Sequence, residues 1–509
     1  MSNPTGMKIA VIGGGISGIA AAKVLKQNGF APVIFEKAEH PGGIWAIAYA
    51  GVRLQNIEKQ YRLSDFPWPF KPDFYPTSEQ VLKYFHAVIE YFQLDLRLGH
   101  EITMLEERQN GWLVRHKNKD GMHEALFEYV VVATGQYTEG KRRPSFPGEE
   151  QFRGEILTER DIRSQDQFNS KSVLVMGFGK SALDMVTLAA PHASQVHHLF
   201  RTARWTVPER FFGIHNTYVF LCRFASMMMP SWVHPFGPER FLHNHLGWAV
   251  HQFWRFVSFV IHLQEMGNAF GKDAAARERL KIVWPDHILV SDLRSAAALA
   301  PKAYYPLIAQ GKIMPYRAEL SGFSTHGVIL KDGRAISCDL VVLSLGSESP
   351  TFPFMPEKYR KMLEADKAGP QFYRHLIHPR IARMGFAGFN HGFMHIPAVE
   401  VGTLWLCANL RGELKLPPLE VMEKNIERIR AWKRTYINFE PSRSCAVNTR
   451  YQQYLDLLLK DLGLSPYRKL PNILAEFFAR YGADDYQNVF EEYERNKLKR
   501  TTPLVPLDM

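Results

Sequence analysis

KSVLVMGFGKSALDMV, residues 171–186, is an apolar, β-branched run followed at once by Gly177-Phe178-Gly179-Lys180-Ser181-Ala182 and then by a helical pattern. Strand, glycine turn and helix start, in that order, form a device that cradles a pyrophosphate. The glycines let backbone approach the ligand, and the helix N-terminus offers it unpaired N–H groups. The same device already stands at the start of the chain, in KIAVIGGGISGIAAAKVLKQNG, residues 8–29. Two devices imply two nucleotides.

In the first copy Gly13, Gly15 and Gly18 supply the turn, the close approach and the helix packing, and Gly29 closes the helix. The next strand, APVIFE, ends in Glu36, 23 positions after Gly13. An acidic side chain there accepts hydrogen bonds from an adenosine ribose. In the second copy the following strand, SQVHHLFRTAR, places Arg201 24 positions after Gly177, and Arg201, Thr202 and Arg204 stand where the acid is missing. A carboxylate would repel a 2′-phosphate, whereas guanidinium groups pair with it. The first site therefore suits a nucleotide with a free ribose and the second suits NADPH. The bland alternative for the two arginines is a solvated strand end.

The repetition goes further. Asp120-Gly121 follows GWLVRHKNK and leads into LFEYVVVATG; Asp332-Gly333 follows GVILK and leads into ISCDLVVLSLG. Each reads as a hairpin and a returning buried strand that ends at a glycine, Gly135 or Gly346. The expected fold class is α/β, with two Rossmann-like dinucleotide-binding domains, the second inserted in the first. The expected boundaries are 1–165 and 331–435 for the first domain and 166–330 for the second. The second carries a helical insert at about 210–300, and a helical C-terminal extension spans 436–509.

At 509 residues, 46% hydrophobic and 13% aromatic, the chain can bury cores for two or three domains. Cys222, Cys338, Cys407 and Cys445 are widely spaced without CxxC, which argues against a disulfide framework, a zinc site or a dithiol centre. No secretory signal is legible at the N-terminus, and a reducing, cytoplasmic setting fits best. The net charge of +11 is not gathered into a basic run with interleaved aromatics, so nucleic acid is not an expected partner.

EKAEHPGGIW (36–45), LQNIEKQYRLSDFPWP (54–69), YPTSEQVLKYF (75–85), VVVATGQY (130–137), FPGEEQFRG (146–154) and the second glycine loop resemble, in order and spacing, the flavin-containing monooxygenases among the class B flavoprotein monooxygenases. The resemblance runs from about residue 8 to at least 420 and continues more weakly into the tail. It implies FAD and NADP as cofactors, with O2 and an apolar small molecule as substrates. The implied activity is NADPH-dependent transfer of one oxygen atom from a C4a-hydroperoxyflavin to a lipophilic nitrogen or sulfur compound. Baeyer-Villiger oxygenation of a ketone, and uncoupled NADPH oxidation or flavin reduction, are the alternatives.

By the same resemblance Asn56 is the catalytic residue, an amide able to donate and accept beside the flavin, against the plainer reading of a loop-capping asparagine. Gly13, Gly15, Gly18, Glu36, Lys37, Gly43, Trp45 and Thr134 would hold FAD; Gly177, Gly179, Ser181, Arg201, Thr202 and Arg204 would hold NADP. Trp45 reads equally as core, Lys37 as a solvated strand end, and Tyr75-Pro76-Thr77 as a flavin border or a helix-leading turn. One departure stands out: the family pattern FxGxxxHxxxF/Y/W has Thr158 in place of His and Ile162 in place of the aromatic. It weakens a Baeyer-Villiger reading and bears on the linker between the domains.

The insert contains FLCRFASMMMPSWVHPF and LGWAVHQFWRFVSFVIHLQ, both interrupted by Arg or His and so neither an unbroken membrane span. A buried substrate-access lobe is the favoured reading; peripheral docking on a membrane is the alternative. His215, His234, His243 and His245 lack HExxH spacing, and no metal is expected. The tail would close the active site or build a homodimer contact.

Overall fold

The structure is a computed structural model that describes residues 6–137, 140–269, 273–293, 298–365, 369–436 and 447–507. Cys445 lies outside the described residues. Cys222, Cys338 and Cys407 are free and buried.

Strand Lys8–Ile12 is buried at every position but its first, as a strand covered on both faces must be. It is the middle of a five-stranded parallel sheet ordered 384–386, 129–132, 8–12, 31–36, 95–98. Helix Ile16–Gln27 packs on one face with helix His395–Leu410, in a core that includes Ile19, Val24, Leu404 and Trp405. The opposite face is covered by the antiparallel sheet 101–108, 111–118, 121–127.

The second unit repeats this plan. Its parallel sheet is ordered 313–317, 195–200, 172–176, 340–343, 155–158. Helix Lys180–Ala189 lies on one face and the antiparallel sheet 320–324, 327–330, 335–337 on the other. In both sheets the glycine-loop strand sits between the strand that ends in Glu36 or precedes Arg201 and the returning strand, so each loop opens where the strand order reverses. That is the position at which open α/β sheets bind ligands.

The strand pairing corrects the domain boundaries. Glu155–Thr158 and Leu340–Leu343, assigned from sequence to the first domain, are strands of the second sheet. Pairing between distant segments is invisible to local pattern. Thr158 and Ile162 consequently belong to the second unit rather than to a linker. The Thr158 backbone N–H and hydroxyl both donate to Asp161, and Ile162 is fully buried in the second core.

The insert is helical, with helix Gly247–Ala269 at its centre. The reading of it as a buried lobe needs correction. Val250, Trp254 and Ile261 are buried, but Trp248, Phe256, Phe259 and Leu263 are more than half exposed on the same helix. No helix among the described residues is long and apolar enough to cross a membrane. Arg223, which breaks the apolar run in the sequence, lies in short helix Arg223–Met227 and is 2% exposed. Its guanidinium donates to Asp456 at 2.6 Å and also to Glu476. A cation in an apolar stretch thus ties the insert to the tail. The tail itself is core: Tyr451, Leu455, Leu458, Leu459 and Tyr493 pack into the first hydrophobic cluster.

Candidate active site

A cavity of about 1130 Å³ runs along both glycine loops. From the first unit Gly13, Gly15, Glu36, Lys37, Gly43, Trp45, Asn56 and Thr134 line it; from the second, Gly177, Gly179, Ser181, Arg201, Thr202 and Arg204. The tertiary fold therefore gathers the expected site residues into one space, with one exception. Gly18 does not line the cavity, because a Cβ there would lie 1.9 Å from the Gly13 carbonyl oxygen. It acts as the packing glycine, letting helix and turn touch.

The loops are shaped by what glycine permits. Gly13 has φ +115° and a Cβ would sit 2.5 Å from the Ala133 carbonyl oxygen; Gly177 has φ +125° and would meet Ser344 oxygen at 2.3 Å. No side chain caps the helix N-termini at Gly15 and Gly179, and neither first turn holds an acid. Their orphan N–H groups, with the positive end of the helix dipole, are left for an anion. A Cβ on Gly179 would meet nothing within 4 Å, so this glycine borders open space. Two uncapped helix starts on one cavity fit the pyrophosphates of two dinucleotides.

At the first loop Glu36 is 9% exposed, and its carboxylate accepts from the Gly14 N–H at 2.7 Å and the Ala38 N–H at 2.9 Å. The bonds fix its orientation at the end of the strand. At the second loop the two arginines differ. Arg201 and Thr202 are exposed on the cavity wall. Arg204 already pairs with Asp292, at 3.0 Å, and Asp292 is fully buried. Beneath Gly177, His198 bonds the Gly177 carbonyl at 2.7 Å through Nε2 and Tyr304 Oη at 2.9 Å through Nδ1. The carbonyl can only accept, so Nε2 carries the proton and Nδ1 receives one. Burial lowers this imidazole's pKa to about 4 and keeps it neutral.

Asn56 Nδ2 donates to the Phe393 carbonyl, which lines the same cavity. Trp45 Nε1 donates to Tyr61 Oη at 2.8 Å, with the two rings edge to face. Both side chains are thus positioned by partners rather than loose in a loop. Tyr75-Pro76-Thr77 is absent from the wall. Thr77 caps helix Ser78–Tyr91 through a capping box with Gln80, and Tyr75 Oη meets His215 Nε2 at 2.8 Å.

Several wall residues escaped sequence reasoning because their partners lie far along the chain. Ser17 Oγ and His395 Nε2 are 3.0 Å apart, 378 positions apart in sequence, and burial holds the His395 imidazole neutral. Lys141 reaches Glu159 at 2.5 Å across the wall, and Asn448 and Thr449 bring the tail to the site. Tyr49 donates to Asp184 at 2.6 Å, tethering the first unit to the helix that follows Gly179. No local motif marks these pairings, although Ser17 and Asp184 themselves lie in the two glycine-loop stretches.

The sequence profile of the flavin-binding monooxygenase-like family matches residues 6–245 and 305–477. The chain belongs to this family. It is a flavin-dependent monooxygenase, an oxidoreductase, and the two loops fit FAD and NADP. It is 28% identical to the probable flavin-containing monooxygenase 1 of Arabidopsis thaliana, over 96% of this chain and 98% of that one. Among solved structures, the S-allyl-L-cysteine S-oxygenase of Allium sativum aligns over 97% of this chain and 99% of its own, with a TM-score of 0.61 and 18% identity. An open form of cyclohexanone monooxygenase aligns over 90% of this chain and 98% of its own, with a TM-score of 0.63 and 18% identity. These likenesses extend the family's fold across nearly the whole chain.

Proposed function

We propose that the protein draws two electrons from NADPH and transfers one oxygen atom of O2 to a lipophilic amine or thioether, the other atom leaving as water. The observation that carries this is the single cavity shared by two uncapped glycine loops of different polarity. One is followed by Glu36 and the other by Arg201, with Asn56 on the same wall. Glu36 and the first loop would hold the FAD adenosine and pyrophosphate. Gly179, Ser181, Arg201 and Thr202 would hold NADPH. FAD, when bound, supplies hydride acceptance and oxygen activation. The chain's part is to bind, orient and keep water out. Asn56 serves the reacting centre: its bond to the Phe393 carbonyl fixes the amide, leaving an oxygen that accepts and a second N–H that donates.

The test is to incubate the FAD-loaded protein with NADPH, O2 and a panel of tertiary amines, thioethers and ketones, measuring NADPH loss, products and hydrogen peroxide together. N-oxide or sulfoxide matching NADPH loss supports the proposal. Esters or lactones from ketones would replace it with Baeyer-Villiger chemistry, and peroxide alone with an oxidase. Asn56→Ala should still bind FAD while diverting most NADPH consumption to peroxide. Unchanged coupling removes Asn56 from this role.

A further inference from the structure

Helix Gly237–His245, in the insert, carries Glu239 and His243 four residues apart and hence on one face. His234 comes to the same face from the preceding loop. One ligand atom from each of the three lies within 4.8 Å of the others. None of them lines the cavity described above.

The chemistry of the three is unusual for plain packing. Glu239 is 2% exposed, and among the described residues no lysine or arginine pairs with it. Its carboxylate has His234 Nδ1 at 3.1 Å and the Gln453 amide N–H at 3.0 Å. A buried carboxylate without a fixed cation is costly. His243 Nε2 donates to the Met227 carbonyl at 2.7 Å, which leaves Nδ1 with a lone pair. A backbone carbonyl on the far nitrogen is what orients metal-binding imidazoles. Gln453 is itself 2% exposed, and its Oε1 is buried there with no hydrogen-bond partner among the described residues.

We propose that His234, Glu239 and His243 bind a divalent first-row transition ion of the zinc class. Two imidazoles and a carboxylate suit that ion, and a water beside Gln453 completes four-coordination. The His234 and His243 rings stack at 4.0 Å and 15°. Parallel rings do not aim two lone pairs at one point, so loading turns the His234 ring, which sits on the loop. The bound ion would fasten the insert helix to its loop and, through Gln453 on helix Tyr451–Asp461, to the tail. The sequence signature is H-x4-E-x3-H, which a search for HExxH spacing passes over.

The test uses the full-length, FAD-loaded protein, stripped with EDTA and then dialysed against zinc sulfate. Elemental analysis should find one zinc per chain. Competition with a chromophoric chelator should give a dissociation constant below micromolar, and zinc should raise the melting temperature. Glu239→Gln and His234→Gln should each weaken zinc binding at least tenfold and abolish the thermal shift, while exposed His245→Ala leaves both unchanged. His234 stands on a loop, so its variant tests the site even where Glu239→Gln fails to fold. No stoichiometric zinc on the wild-type chain overturns the proposal, as does equal zinc on the wild type and His234→Gln.

Discussion

Replacing Arg201 by Ala should separate NADPH from NADH. Arg201 is exposed on the cavity wall, and its acidic neighbour Glu319 is paired with Lys331 at 2.5 Å. The local field stays positive, free to meet a 2′-phosphate. A hydrogen bond to a charged group is worth about 1.5–3 kcal/mol, and solvent exposure holds this one to the lower half of that range. At about 1.4 kcal/mol per decade, the KM for NADPH should rise about 10–40-fold, with the KM for NADH changed less than twofold. The assay is initial-rate NADPH and NADH oxidation at saturating O2 and substrate, repeated at two salt concentrations. The wild-type preference should shrink at high salt, since charges are screened beyond about 10 Å at 0.1 M. Equal changes for both coenzymes would refute the 2′-phosphate assignment. Arg204→Ala should behave differently. Among the described residues it leaves fully buried Asp292 with His287 and the Trp205 N–H, so stability should fall by about 2 kcal/mol, read as a lower denaturation midpoint.

Two further outcomes follow from the loops. Gly179→Ala puts a methyl where nothing stands within 4 Å, so folding should be unaffected while NADPH binding weakens about tenfold or more. Gly13→Ala drives its Cβ into the Ala133 carbonyl at φ +115° and should cost folding itself; normal thermal stability of that variant would contradict the packing described. His198 predicts a pH dependence. Its folded pKa, about 4, lies below the unfolded value of about 6.5, so its stabilising share is complete above 6.5 and lost as pH falls toward 4. Between pH 7.5 and 5.5 the wild type should lose about 1.3 kcal/mol through this group. Urea unfolding at both pH values should show a loss smaller by that amount in His198→Gln, and an identical loss would show that His198 takes up protons equally in the folded and unfolded chain.

The order of elements was legible because both nucleotide-binding units depend on strong local signals. Continuous apolar runs mark doubly covered parallel strands, glycines at fixed offsets mark the turns, and Asp-Gly pairs mark the hairpins. The helix-leading turn at Tyr75-Pro76-Thr77 does lead into helix Ser78–Tyr91, whose start is set by a capping box within four residues. The domain boundaries were not legible in this way. Glu155–Thr158 and Leu340–Leu343 are adjacent to strands of either unit in sequence, and only hydrogen bonding assigns them to the second sheet. The apolar insert misled in a related manner, since composition records how much apolar surface a helix has, not which side finds a partner.

By itself, then, the sequence determined that two glycine-loop units exist, that one ends in an acid and the other in arginines, and that Asn56 stands in a family motif. Each rests on neighbours within about 25 positions, the range over which backbone geometry is set by local residue type. Tertiary structure alone decided that both loops open into one cavity and that Arg204 is engaged by Asp292 while Arg201 is exposed. It alone gathered His234, Glu239 and His243 around a buried carboxylate and closed Arg223 onto Asp456. The pairs Arg204–Asp292 and Arg223–Asp456 join segments 88 and 233 residues apart. Their energies come from desolvation and charge pairing inside the folded chain, which no local pattern encodes.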